Sequence, residues 1–251
     1  MLPTLEGVIA RRTLLNYWIQ PEVVRPLVPA ELELATVDGL AVAGTCLIRL
    51  EHLRPKGVPS VIGISSENMA HRIAIRYRPE SDGELRDGVF IWRRQTDRAM
   101  VKLLGGRVFP GVHGRSSFDV DERHDGLAYH VTSDDPTTNV ELSVRNVDAW
   151  PGSRLFPRFE DVKAFFEKGD HGFSCTMRGD QLEGMQLRTS VWNMEPLTVD
   201  SIASAFYDDR VRFPKGSIGL DGAVLMRGIP HEWHELDDVP ELAGAIPPGV
   251  S

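Results

Sequence analysis

Apolar and polar positions alternate in short runs along most of the chain, and Gly, Asp and Pro punctuate them, which is the pattern of β-strands joined by turns. Gly7 to Trp18 reads as a strand that stops at Pro21, and Pro21 to Val28 as a short helical turn whose length Pro26 and Pro29 limit. Glu31 to Val37 and Leu40 to Leu53 flank Asp38-Gly39, a pair suited to the two left-handed positions of a type I′ hairpin. Arg72 to Tyr77 alternates as a half-buried strand should, with Gly88 to Trp92 as its partner across the loop from Pro79 to Gly83. Further strands are predicted at Ser116 to Val120, Leu127 to Val131, Val140 to Val144, Phe173 to Met177, Gln186 to Trp192 and Ala223 to Arg227.

Helical signals are few. Thr96 or Asp97 can cap a helix from Arg98 to Leu104 that Gly105-Gly106 would stop. Phe159 to Lys168 places Phe159, Val162, Phe165 and Phe166 on one face and ends at Gly169. Asp200 can cap a third helix, Ser201 to Phe206. So many strands with so few crossover helices exclude a doubly wound parallel sheet. They predict a mainly β fold, an antiparallel sheet curled into a closed barrel or cone that leaves no exposed edge.

Composition narrows the class. Of 251 residues, 41% are hydrophobic and 25% charged, ordinary for a chain with a sizeable core. No fixed repeat or low-complexity linker divides it, so a single domain over 1–251 is expected, with an irregular tail from about residue 237. The formal net charge of -8 argues against binding nucleic acid or an anionic membrane surface. The first residues lack a basic stretch followed by an apolar one, and the apolar window Leu40 to Leu50 is interrupted by Arg49, which points to a cytoplasmic protein. Cys46 and Cys175, each in an apolar run, read as buried thiols in a reducing compartment. There is no P-loop, GxGxxG or GxSxG, and nothing calls for a cofactor.

One local imbalance stands out. Between positions 93 and 115, Arg93, Arg94, Arg98, Lys102, Arg107 and Arg115 face a single acid, Asp97. Arginine reads carboxylates bidentately, so at least one of the set is a candidate for a small anion, while exposed charge usually just sits in water. Lys102 lies among Val101, Leu103 and Leu104, four residues after Arg98. Desolvation and a neighbouring cation lower an amine's pKa and make it a nucleophile, though a lysine snorkelling from an apolar helix looks the same in sequence. His113 follows Pro110-Gly111 and can face a pocket. His231 and His234, at i and i+3, offer two ligands with no third evident where a zinc site needs three or four, so no metal is expected.

The stretch Asn16 to Leu34, with its Val28-Pro-Ala-Glu-Leu-Glu33 turn, resembles the entry segment of the acetoacetate decarboxylase-like superfamily. With Gly88 to Trp92 and Phe109 to His113 it is most similar to the domain-of-unknown-function 2071 branch of that superfamily. The resemblance covers most of residues 5 to 130 and, more loosely, the strands to about 236. It implies a barrel with a ligand cavity, a small carboxylate or keto-acid ligand, lyase chemistry through a lysine Schiff base, and a homo-oligomer. It places Lys102 at the Schiff-base lysine, with Leu103 where the decarboxylase has a second lysine. It puts Glu67 near the active-site glutamate and Arg12 near the substrate-binding arginine, at a small offset. Arg98 would stand in for the missing second cation. The competing expectation is a non-catalytic barrel that holds an anionic or apolar metabolite.

Overall fold

The computed structural model describes residues 3–79, 81–98, 111–176, 178–237 and 239–242. Thirteen strands form one sheet: β1 (Leu5–Ile19), β2 (Glu33–Leu34), β3 (Thr36–Val37), β4 (Leu40–Pro55), β5 (Ile64–Tyr77), β6 (Arg86–Thr96), β7 (His113–Arg123), β8 (Gly126–Ser133), β9 (Val140–Asn146), β10 (His171–Cys175), β11 (Leu182–Arg188), β12 (Glu195–Ser204) and β13 (Ile218–Glu235). Among the described residues the α-helices are α1 (Pro21–Val24), continued by a 3₁₀ turn at Arg25–Leu27, and α2 (Phe159–Lys168), with further 3₁₀ turns at Ser60–Ile62 and Pro136–Thr138. The hairpin between β3 and β4 turns at Asp38 and Gly39, with φ of 49° and 78°, as the Asp-Gly pair predicts.

Strand pairing explains why so many strands are needed. β1 lies between β4 and β13 in long antiparallel ladders, and β5 continues from β4 to β6. From β6 the pairing runs one way through β10 and β11 back to β13, and the other way through β7, β8, β9 and β12 to β13. The shared strands therefore face two separate apolar clusters, which is why β1 and β4 are buried on both sides. Leu15, Tyr17 and Ile19 join the larger cluster with Trp92, Tyr129 and Tyr207. Leu14, Val42 and Cys46 join the smaller one, against Val162 and Phe166 of α2.

Three expectations are corrected. The sheet is mixed rather than antiparallel, because β6 pairs in parallel with both β7 and β10. The helix expected after Asp200 is strand: Ser201 to Ser204 pair with β9 past a bulge, and the Asp200 carboxylate is held by Arg145 at 2.8 to 2.9 Å instead of capping. The strand expected at Gln186 to Trp192 runs earlier, Leu182 to Arg188. The Thr189 hydroxyl accepts from the Val191 N–H at 3.1 Å and turns the chain there. The helix expected from Arg98 to Leu104 falls almost wholly outside the described residues.

Candidate anion-binding cavity

The smaller cluster does not fill its side of the sheet. A cavity of ≈ 130 Å³ remains, bounded by β1, β4, β5, β6, β11 and β13 and by the turn after α2. Ile48, Leu50, Ile91, Met185, Leu187 and Trp233 make much of its wall apolar, and three guanidiniums, Arg12, Arg72 and Arg94, project into it.

Register explains their convergence. Across β1, β4, β5 and β6 one row of partners is Asn16, Gly44, Arg72 and Ile91. The next row on the same face is Leu14, Cys46, Ala70 and Arg94, and the third is Arg12, Ile48, Asn68 and Thr96. Arg72 and Arg94 are thus diagonal neighbours on adjacent strands, a relation that brings long side chains within reach of each other. Arg72 is 5% exposed. Its Nη2 donates to Asn16 Oδ1 at 2.7 Å, and its guanidinium lies 4.7 Å from the centre of the Phe166 ring of α2. Burial lowers its pKa to about 10, and the Arg12 charge pushes in the same direction. Arg94 donates from Nε to Ser174 Oγ at 3.1 Å, and burial lowers it likewise to about 10.

None of the three forms an ion pair with a described carboxylate. The cavity does contain one acid, Asp170, but its carboxylate accepts from Gln186 Nε2 at 2.9 Å and lies 3.7 Å from His171 Nε2. His113, at the start of β7 and paired in register with Arg94, also lines the cavity. Burial, and then the Arg94 charge, lower its pKa to about 3, so it is a neutral imidazole at physiological pH. A buried cation without a counter-charge is costly. Arg72 is buried in this way, Arg12 and Arg94 are half-buried beside it, and Glu183 is the one carboxylate whose charge acts on Arg94. What the arrangement can do chemically is neutralise an anion.

The other candidates sit elsewhere. Glu67 points to the opposite face of β5. There both its oxygens accept from Arg11 Nη2 at 2.8 Å, and Arg49 Nη1 donates to it at 3.2 Å. Arg11 also contacts Glu122 and lies 5.3 Å from the Tyr129 ring centre, so this is a salt-bridge network buried at Arg11 and Glu67 and open to water at Glu122 and Arg49. Arg98 is exposed, donating to the Ser65 carbonyl at 2.9 Å, and does not line the cavity. Lys102 and Arg107 lie outside the described residues, and Arg115 is exposed. Arg93 packs against the Trp92 ring on the far face of β6. His231 is buried against Trp233, while His234 bonds Glu232 at 2.8 Å. Among the described residues no three His, Cys, Asp or Glu side chains are placed to hold a metal.

Sequence reading therefore passed over Arg72, Asn16 and Asp170. In Arg72-Ile-Ala-Ile-Arg-Tyr77 the period of two puts Arg72 and Arg76 on one face, and nothing local distinguishes them. The distinction comes from α2, which covers Arg72 and leaves the Arg76 side chain 41% exposed.

The fold is that of the acetoacetate decarboxylase-like enzymes. It is similar to acetoacetate decarboxylase from Legionella pneumophila, at TM-score 0.59 and 15% identity, covering 95% of this chain and 87% of that one. It is equally similar to the enduracididine biosynthesis enzyme MppR in complex with the condensation product of pyruvate and imidazole 4-carboxaldehyde (TM-score 0.60, 10% identity, 93% and 88% covered). An acetoacetate decarboxylase-like enzyme from Sphingomonas wittichii RW1 matches at TM-score 0.54 and 13% identity, with 95% and 94% covered. No curated protein matches the chain. The chain belongs to the DUF2071 family, described as an uncharacterized conserved protein, whose model matches residues 9–204. No helix among the described residues is long and apolar enough to cross a membrane.

Proposed function

We propose that the cavity binds a small keto acid or related carboxylate and that the protein acts on it as a lyase through a Schiff base on Lys102. The observation that carries the reading is the set of three guanidiniums, none in an ion pair with a described carboxylate, turned into one largely apolar cavity. A carboxylate there gains charge-assisted hydrogen bonds and relieves buried positive charge. We read the circuit β13-β1-β4-β5-β6-β10-β11 as a closed barrel whose interior is this cavity. The likeness in fold to acetoacetate decarboxylase, and to MppR, one structure of which is a complex with pyruvate, supports the same ligand class.

Lys102 is assigned the nucleophile's role from its sequence resemblance. Gln95 and His113, described residues on either side of its segment, line the cavity, whereas Lys56, Lys163, Lys168 and Lys215 do not. A cationic, water-poor site favours the neutral amine. The amine adds to the keto carbon, and loss of water leaves a protonated imine. With a β-keto acid, the bond between the carboxylate and the carbon next to the imine then breaks, carbon dioxide departs, and the electron pair moves into the protonated imine to form an enamine. Protonation at carbon and hydrolysis by water return the ketone and the free amine. In this reading Arg72 and Arg12 hold the anion, neutral His113 supplies a hydrogen bond without charge, and Glu67 and Arg98 stand outside the chemistry.

The test is borohydride trapping. With acetoacetate or pyruvate present, reduction adds a covalent adduct whose mass maps to Lys102. A protein that binds these acids, seen as a rise in Tm, yet forms no adduct with any of a panel is the non-catalytic binding barrel. That second reading draws on the lack of a lysine among the described cavity residues.

A further inference from the structure

The geometry points to a ligand with two separated anionic groups, a small dicarboxylate such as a keto-dicarboxylate, rather than the single carboxylate of a simple keto acid. This inference rests on the carboxylate reading above and sharpens it. Three cations and one acid line the cavity, His113 is neutral, and the acid is already engaged by Gln186 and His171. With Asp170 counted, the three guanidiniums give the lining a net charge of +2; one carboxylate leaves +1 and two neutralise it.

The cations are also spread out. Arg72 and Arg94 are diagonal neighbours at one end, while Arg12 stands two rows from Arg72, one beyond the row of Arg94, on a strand separated from β5 by β4. Strands lie about 4.8 Å apart and two residues along a strand span about 6.7 Å, so Arg12 and Arg72 are anchored roughly 16 Å apart along a flat sheet and closer on a curled one. A single carboxylate has to be shared between Arg72 and Arg12, whereas a second one on a short carbon chain lets each end of the ligand meet its own guanidinium. The Nε atoms of Arg12 and Arg72 are buried without hydrogen-bond partners, which leaves donor capacity unused at both ends. At about 10 to 15 Å³ for each water-sized sphere, the cavity has room for on the order of ten such spheres, which suits a four- or five-carbon diacid.

The experiment compares, on the full chain, Kd by calorimetry for succinate, oxaloacetate and 2-oxoglutarate against acetate, pyruvate and acetoacetate, with inorganic phosphate as a separate arm. The expected result is at least tenfold tighter binding of one or more diacids than of any monoacid. In Arg12→Gln that ratio collapses toward one, because the far carboxylate loses its cation. In Arg12→Lys it is partly kept, which guards against simple misfolding of the glutamine variant. Monoacids binding as tightly as every diacid overturn this inference and leave the carboxylate reading standing. A diacid preference unchanged in Arg12→Gln overturns it too, as does phosphate matching the diacids, since that reports one compact dianion. No binding by any carboxylate overturns the inference and the reading beneath it together.

Discussion

Acid should unfold this protein in a pH range where most proteins are still stable. His71, His113 and His231 are buried, and burial lowers their pKa values to about 3, 3 and 4 from 6.5. His71 is the extreme case. It is 1% exposed, packed against Phe206 and Tyr207, faces the charges of Arg212 and Arg93 with only Asp135 opposing them, and neither ring nitrogen has a hydrogen-bond partner. A histidine whose folded pKa is depressed binds its proton in the unfolded chain first, so its contribution is intact above 6.5 and is lost as pH falls from there toward the folded value. Between pH 7 and 5 each of the three loses about 2 kcal/mol at about 1.36 kcal/mol per pH unit. Together that is roughly 6 kcal/mol, comparable with the whole stability of a typical domain. His171, also lowered by burial, acts in the same direction. The depressed carboxylates, Glu122 and Asp135 among them, add to acid sensitivity only below about pH 4.5, so the upper window belongs to histidine. Urea unfolding at pH 7, 6 and 5 should show a steep fall in midpoint, and His71→Phe, which suits the aromatic surroundings, should remove about a third of the slope. A midpoint flat from pH 7 to 5, or an unchanged slope in His71→Phe, refutes the reasoning.

Two further outcomes probe the frame around the cavity. Glu67→Ala should cost about 2 to 3 kcal/mol, less than a fully buried pair, because Arg11 keeps Glu122 and Arg49 is already 38% exposed. Its ligand-induced rise in Tm should match that of the parent, since Glu67 faces away from the cavity; a lost response would place it in the site. Gly44→Ala should lower Tm by 10 °C or more, because an added Cβ would come 2.1 Å from the Leu15 carbonyl oxygen across the β1–β4 ladder. Parent-like melting of that variant would refute the close approach of those two strands.

Local chemistry made most elements legible. The Asp38-Gly39 turn, the proline-limited helix after β1 and the amphipathic Phe159–Lys168 helix follow from propensities that act over a few residues. Family membership was legible in the ordered motifs of the first half. The mixed sheet was not, because parallel pairing of β6 with β7 and β10 is decided by where distant segments return. Asp200 misled for a related reason: a side chain that caps helices in general is here committed to Arg145 on another strand.

The candidate site divides the same way. A basic surplus from 93 to 115 pointed toward an anion, but alternation assigns side chains only to one face or the other. It says nothing about which face is covered. Arg94 became a cavity residue and Arg93 a core-facing one because the strand period separates them, and Arg72 became one because α2 closes over its end of β5. Sequence alone determined that this is a turn-rich β protein of a known superfamily with spare positive charge. Where that charge loses its water and its partners, and so can act on a ligand, was decided only when strands far apart in the chain came to lie side by side.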